Sequence, residues 1–269
     1  MKALITGASG GIGAAITRAL DRRGYDLVLV DRDMAALEII AATASRPTER
    51  IACDLASRED VERLCGAIVR DHADLDILVN NAGIVCPGAV TDIPQTDIDL
   101  QLEVNMRAPI RLMHAVAPLM VARGRGAMVT TVSLGGIIAL KESAAYAASK
   151  FGLRGFLSSF HQELAPQGIR VSGIYPAAVD TPMLHYEATH GGSVLNFIDK
   201  VVSAEDVARA LLKGIDTGKL EVYVPYSASL TSRFFAAFPW MIRPVLPVME
   251  KLGEAGRKKF LARKGLSAG

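Results

Sequence analysis

Short apolar runs alternate with longer segments of helical spacing along most of this chain, and no other feature restricts its fold as much. Runs 2–6, 26–31, 49–53, 75–79, 126–132, 169–174 and 221–224 are short and rich in Val, Leu and Ile, as strands buried on both faces are. Between them, 11–24, 33–45, 57–72, 97–122, 146–166 and 204–216 carry apolar residues at helical spacing. Asp33, Ser57, Thr96 and Ser203 suit N-caps, while Gly24 and Gly124 suit helix stops. Strand and helix in alternation imply right-handed crossovers, so the expected class is α/β, a doubly wound parallel sheet with helices on both faces. The pattern ends near residue 224, giving one domain over 1–224 and an extension over 225–269.

Composition narrows the setting. Half of the 269 residues are hydrophobic and 22% are charged, which supports a sizeable core and excludes wholesale disorder. Cys53, Cys65 and Cys86 form no CxxC pair, so a disulfide framework or thiolate zinc site is not expected and a reducing, cytoplasmic setting is. The chain starts directly in an apolar strand, and no signal peptide is expected. His72, His114, His161, His185 and His190 are scattered, and no metal is expected.

The first strand runs into Thr6-Gly7-Ala8-Ser9-Gly10-Gly11-Ile12-Gly13, and a helix follows at once. A phosphate group needs backbone N–H groups at close range and the positive end of a helix, and glycines at 7, 11 and 13 give it clearance. The second strand ends in Asp31, eighteen residues after Gly13. A carboxylate there accepts hydrogen bonds from both ribose hydroxyls of an adenosine and repels a 2′-phosphate, which favours NAD over NADP. Arg32 is the opposing signal, since a guanidinium meets a phosphate well. Without a ligand, the same run is an ordinary glycine-rich turn.

Tyr146 and Lys150 lie four residues apart, on one side of a helix. A free phenol titrates near pH 10, and a neighbouring ammonium favours the phenolate. Ser133 ends the preceding strand at the carboxyl edge, where ligands of open parallel sheets bind. Taken alone, the Tyr–Lys pair is an ordinary surface contact.

Together, Thr6–Gly13, Asp54-Leu55, Asn80-Asn81-Ala82-Gly83, Asn105, Ser133, Tyr146, Lys150 and the Pro176…Thr181-Pro182-Met183 segment follow the order and spacing of the short-chain dehydrogenase/reductase family. The resemblance covers residues 2–224 and implies a Rossmann fold and NAD(P)-dependent oxidoreduction at a CH–OH group. It implies Asn105, Ser133, Tyr146 and Lys150 as the catalytic set. Tyr146 would be the general acid/base, Lys150 would depress its pKa and bind the nicotinamide ribose, and Ser133 would orient the carbonyl. Asn105 would position a water in a proton relay. Cofactor contacts would come from Gly7, Ser9, Gly11, Ile12, Gly13, Asp31 and Arg32, and from Asp54 and Leu55 beside the adenine. Asn81, Ala82 and Gly83 would lie along the ribose, with Asn80 in the same sheet-steadying turn. Pro176, Val179, Thr181, Tyr146 and Lys150 would line the nicotinamide end. The sequence departs from the family pattern at Ala177, where Gly is usual, and at Tyr175, where Asn is common.

Leu134, Ile137, Ile138 and Leu140 follow Ser133, and Ile84, Val85, Met183 and Leu184 lie in other segments expected at the pocket mouth. Such a lining favours a hydrophobic alcohol or ketone over a sugar or charged acid. Segment 184–203, with Gly191-Gly192 inside it, is where a substrate-covering flap would lie, and its pattern is too irregular to name a substrate. Resemblance also implies a homodimer or homotetramer packed through 97–122 and 146–166. The expected activity is thus NAD-dependent transfer of a hydride between nicotinamide and a hydrophobic alcohol or ketone. The rivals are an NADP-dependent carbonyl reductase with the same site and a non-catalytic nucleotide-binding or membrane-surface protein.

The extension differs in character. Residues 225–269 hold eight Lys/Arg against Glu250 and Glu254, and they contain the single tryptophan, Trp240. Helical spacing puts Leu230, Phe234, Phe235 and Phe238 on one side and Ser229, Ser232 and Arg233 opposite. Pro239 breaks that helix, and the uncharged run 234–242 is far short of the roughly twenty residues that cross a bilayer. Three readings stand: a cap or subunit interface, a membrane-surface contact through 227–264, and a disordered basic end. Nucleic acid is not expected, since no base-reading motif accompanies the basic residues.

Overall fold

A computed structural model describes residues 1–267. Its centre is a seven-stranded parallel sheet: β1 (Lys2–Thr6), β2 (Asp26–Asp31), β3 (Thr48–Ala52), β4 (Ile77–Asn80), β5 (Gly126–Thr131), β6 (Ile169–Pro176) and β7 (Glu221–Val224). The spatial order is β3-β2-β1-β4-β5-β6-β7, so the direction of winding reverses between β1 and β4. Such a reversal opens a crevice at the carboxyl ends of the strands. Residues of β4 and β5 are buried throughout, which explains why these strands read as continuous apolar runs.

Helices α1 (Gly11–Arg22), α2 (Met34–Ala41) and α8 (Ala204–Thr217) cover one face of the sheet. Ile16, Leu20, Leu37, Val207 and Leu211 form a core there with β1 and β2. Helices α3 (Arg58–Asp71), α5 (Ala108–Arg123) and α6 (Ala144–Leu164) cover the other, and Val61, Leu64, Leu112, Val116 and Leu153 pack on Leu4, Leu78 and Met128. Asp33, Ser57 and Ser203 do cap helices, Ser203 in a reciprocal box with Asp206.

The expected helix 97–122 is instead three pieces: α4 (Gln95–Leu102), a π-helical turn (Glu103–Arg107) and α5. Pro94, not Thr96, stands at the N-cap of α4, its backbone extended at φ −66° and ψ 150°, a φ that the proline ring fixes and that suits entry to a helix. At the start of the expected flap, Pro182–His190 form α7, stopped by Gly191 at φ +99°. Proline in the first turn and a left-handed glycine at the end are the signals that mark this helix.

The extension is ordered through Lys264. It forms α9 (Tyr226–Ala237), a tight turn (Pro239–Met241) and α10 (Ile242–Lys264). The disordered reading of this end is therefore set aside for the described residues. A Cβ on Gly256 would come within 2.0 Å of the Phe197 carbonyl oxygen, and one on Gly253 within 2.4 Å of that of Val194. These two glycines let α10 lie flat on the turn Val194–Phe197. Phe260 and Leu261 then complete a small core with Leu184, Ala188 and Phe197, and Lys264 pairs with Asp180 at 2.6 Å.

Candidate active site

Thr6, at the tip of β1, joins two strand ends. Its Oγ1 accepts the N–H groups of Asn81 (3.1 Å) and Ala82 (3.2 Å), beyond the end of β4. Asn81 in turn donates to the Gly7 carbonyl at 3.2 Å and accepts from Thr131 Oγ1 at 3.1 Å, tying in β5. The carboxyl edge is thus held rigid where the crevice opens. Asn80, expected to steady the same edge, is buried with neither side-chain amide atom hydrogen bonded.

The glycines of the turn answer to the protein's own packing as well as to the cavity that they line. Gly7 sits at φ +63°, and a Cβ there would lie 2.7 Å from Ala82 Cα. On Gly13 a Cβ would approach the Gly7 carbonyl oxygen to 1.9 Å. Gly11 is the one whose missing side chain leaves a cradle between the N-terminus of α1 and Thr181, whose Cγ2 would be 3.1 Å away. First-turn N–H groups of α1 favour an anion in that cradle.

Asp31 closes the turn onto β2. One carboxylate oxygen accepts from Ser9 Oγ (2.6 Å) and Ser9 N (3.1 Å), and the other from Arg32 N (2.8 Å). Sequence reasoning missed this Ser9 bridge, since it depends on how the turn folds back. Arg32 is exposed and makes no salt bridge among the described residues. Asp54 uses its carboxylate on Ala56 N at 2.9 Å, with Leu55 buried beside it.

Tyr146 and Lys150 stand one turn apart near the start of α6. Lys150 is buried; its Nζ lies 5.6 Å from the centre of the Tyr146 ring and donates to the Thr131 carbonyl at 3.3 Å. Ser133 follows β5, and its Oγ accepts from Gly135 N at 2.9 Å. Burial pushes the Tyr146 phenol up to about 12, a hydrogen bond with Ser133 pulls it back in part, and Glu187 pushes the same way as burial. Burial also brings the Lys150 ammonium down to about 8. Desolvation is the largest influence on the phenol's proton affinity. Asn105 is fully buried in the π-helical turn, with its amide donating to Ile84 O and accepting from Ile84 N, both at 2.9 Å. Each amide atom thus makes one hydrogen bond to that backbone, which fixes the side chain's orientation.

One cavity of about 750 Å³ gathers these groups. Gly7, Ser9, Gly11, Ile12, Gly13, Asp31, Arg32, Asp54, Leu55, Asn81, Ala82 and Gly83 line one arm of the residue set. Ser133, Tyr146, Lys150, Pro176, Val179 and Thr181 line the other, with Thr181 Oγ1 donating to the Val179 carbonyl at 3.2 Å. Asn105 is the member of the expected set that does not line the cavity. Of the two departures from the family pattern, Ala177 lines it, whereas Tyr175 is buried in the sheet, its ring 5.4 Å from that of Tyr223.

The outer part is apolar: Ile84, Val85, Leu134, Ile138, Leu140, Met183 and Leu184 all line it. Ile137 does not; it is buried in the core. Leu195, Ile198, Phe235 and Met249 also reach the cavity, and sequence reasoning did not assign them because α9, α10 and the flap meet the site only after folding. Glu187 was missed as well. Its carboxyl is a rare titratable group of the outer cavity, held by Asn196 at 3.4 Å and pushed up to about 7 by burial.

The sequence profile of the short chain dehydrogenases matches residues 1–191. The chain belongs to the short-chain dehydrogenase/reductase family. It is 32% identical over 238 residues to the 1-deoxy-11-beta-hydroxypentalenate dehydrogenase of Streptomyces exfoliatus, covering 86% of this chain and 85% of that one. Among solved structures, a Sphingobium yanoikuyae short-chain dehydrogenase in complex with NADPH superposes with a TM-score of 0.78 at 31% identity, covering 89% of this chain and 94% of that one. The bulky-bulky ketone specific alcohol dehydrogenase from Comamonas testosteroni gives 0.75 at 29%, covering 90% and 93%. Short-chain dehydrogenases/reductases use NAD(P), and this chain is an oxidoreductase acting on alcohol or ketone groups.

Proposed function

We propose that this enzyme is NAD-dependent and interconverts a hydrophobic alcohol and its ketone, with Tyr146 as general acid/base. The observation that carries the reading is the convergence of Tyr146, Ser133 and Lys150 with the glycine turn and Asp31 on one cavity whose outer wall is apolar. The Gly11 cradle and the N-terminus of α1 fit a pyrophosphate, and Asp31 fits a ribose diol. A dinucleotide bound there supplies or accepts the hydride.

The side chains divide the remaining work. With its pKa near 12, Tyr146 is protonated at neutral pH and is ready to donate to a carbonyl oxygen. Ser133 accepts from Gly135 through a lone pair, which keeps its O–H available to donate either to Tyr146 or to the same carbonyl oxygen. Lys150, about one unit below its pKa at pH 7, is mostly ammonium and stabilises the phenolate that proton donation leaves. In the oxidative direction that phenolate takes the hydroxyl proton. Asn105 pins Ile84 and so holds the wall opposite.

A second reading, NADP dependence, is favoured by Arg32 on the same cavity and by the NADPH held by the Sphingobium protein. Exposed Phe151 on α6 and Leu100 on α4 support a homo-oligomer built on those helices, and the three free thiols support a reducing, cytoplasmic setting. Turnover is tested with a panel of lipophilic alcohols and ketones, read by reduced-nicotinamide absorbance with each dinucleotide. Tyr146→Phe should lose at least about 100-fold in kcat, in keeping with general acid catalysis. Undiminished turnover would refute the assignment.

A further inference from the structure

We propose that the outward face of α9, the following turn and α10 seats on an anionic lipid surface. The proposal goes beyond the catalytic reading and does not depend on it. Its starting point is that α9 packs the opposite way from its hydrophobic pattern. Against the protein it turns the small residues Ala228, Ser229 and Ser232 together with Phe235. Outward it shows Leu230 (53% exposed) and Phe234 (46%), followed by Phe238 (41%) and Trp240 (70%). Two serines are thus buried while large apolar side chains face out, which is costly unless something covers them.

The aromatic residues form a connected row. Ring centres lie 5.4 Å apart for Phe234 and Phe238, and 5.6 Å for Phe238 and Trp240. On α10 the exposed face continues with Val248 and Leu252 and then becomes basic, through Lys251, Lys258, Lys259 and Arg263. The sorting of these cations is informative. Arg257 and Lys264, which point back toward the protein, pair with Glu254 and Asp180. Arg243, Lys251, Lys258, Lys259 and Arg263 have no carboxylate partner among the described residues.

Charge selects the occupant. A second copy seated through this face about a two-fold axis would bring the same patch, whose carboxylates, Glu250 and Glu254, already pair with Lys141 and Arg257, and so no counter-charge for these cations. An anionic bilayer surface neutralises them, and interfacial aromatic side chains favour the headgroup boundary. No helix among the described residues is long and apolar enough to cross a membrane, so the contact is a surface one. The inner sides of the same helices line the cavity, through Ala228, Ser232 and Phe235 of α9 and Met249 of α10. A lipophilic substrate dissolved in the bilayer would therefore meet the pocket wall directly.

Trp240, the only tryptophan, is a built-in reporter. The full chain is mixed with vesicles of phosphatidylcholine, or of phosphatidylcholine with phosphatidylglycerol, and followed by flotation and Trp240 emission. Flotation and a blue shift with the anionic vesicles alone, weakened by high salt, is the expected result. Lys258→Glu/Lys259→Glu should weaken binding by at least about 25-fold, at about fivefold per basic group near such a surface. Phe234→Ser/Phe238→Ser should abolish it while dinucleotide binding and the sedimentation coefficient stay unchanged. Equal recovery with both vesicle types, or no recovery with either, would overturn the proposal. So would loss of an oligomer in the Phe→Ser variant, which would assign the face to self-association. None of these readouts needs turnover, so a failure here leaves the catalytic reading standing.

Discussion

Replacing Lys150 by methionine separates two things an ammonium can do beneath a phenol: set its proton affinity or merely hold a cofactor. Methionine keeps an unbranched stem in the buried slot and removes only the charge. The nitrogen lies 5.6 Å from the Tyr146 ring centre. At an effective dielectric constant of about 20, two unit charges at that range attract by about 3 kcal/mol, or about two pKa units. Lys150→Met should therefore displace the phenol upward by about two units and lower kcat/KM for alcohol oxidation about 100-fold at pH 7. Lys150 itself titrates at about 8, so the wild-type advantage should shrink as pH rises through that value and the ammonium is lost. The assay is kcat/KM against pH for both proteins at saturating dinucleotide, with dinucleotide affinity measured separately. If the variant's pH profile stays in place and only its dinucleotide affinity falls, the ammonium acts as a cofactor ligand and the electrostatic argument is wrong.

Other outcomes follow from single contacts. Asp31→Ala should remove discrimination against a 2′-phosphate, improving NADPH relative to NADH by roughly tenfold or more in a fluorescence titration; wild type already preferring NADPH would reverse the assignment of Asp31. Gly13→Ala forces a Cβ to within 1.9 Å of the Gly7 carbonyl oxygen. It should lower Tm by several degrees and dinucleotide affinity with it, whereas an unchanged melt would mean that the turn can relax. For Glu187 the folded pKa of about 7 lies above the ordinary 4.5, so the stability it contributes is complete below the lower value and lost as pH rises through the higher. Glu187→Gln should gain on wild type between pH 5 and pH 8, by at most about 3 kcal/mol and less to the extent that the carboxyl faces solvent in the cavity. Denaturant unfolding at the two pH values checks this, and a constant difference would contradict it.

Much of the fold was legible in the chain itself. The inner strands announce themselves as short apolar runs, because a parallel sheet covered on both sides needs no polar alternation, and all seven strands fall within two residues of the expected runs; at the edge, β3 departs from the expected burial, with Glu49 and Arg50 exposed. The residues of the glycine turn, Asp31, Ser133, Tyr146 and Lys150 were legible for another reason: local geometry, a turn or one helical repeat, sets their spacing. What stayed hidden depends on contacts distant in sequence. Glu187, Phe235 and Met249 come to one cavity from α7, α9 and α10, three helices that meet only in the folded chain. Burial depth, which raises Tyr146 and lowers Lys150, is likewise a property of the assembled interior. The direction in which α9 faces was the clearest reversal. Its periodicity marks an apolar side but does not say whether that side turns inward, and close packing of Ala228, Ser229 and Ser232 against the domain decided that it turns out. Sequence determines which surfaces a helix has to offer; tertiary packing decides which of them is left uncovered, because only the neighbouring elements set how closely a backbone must approach.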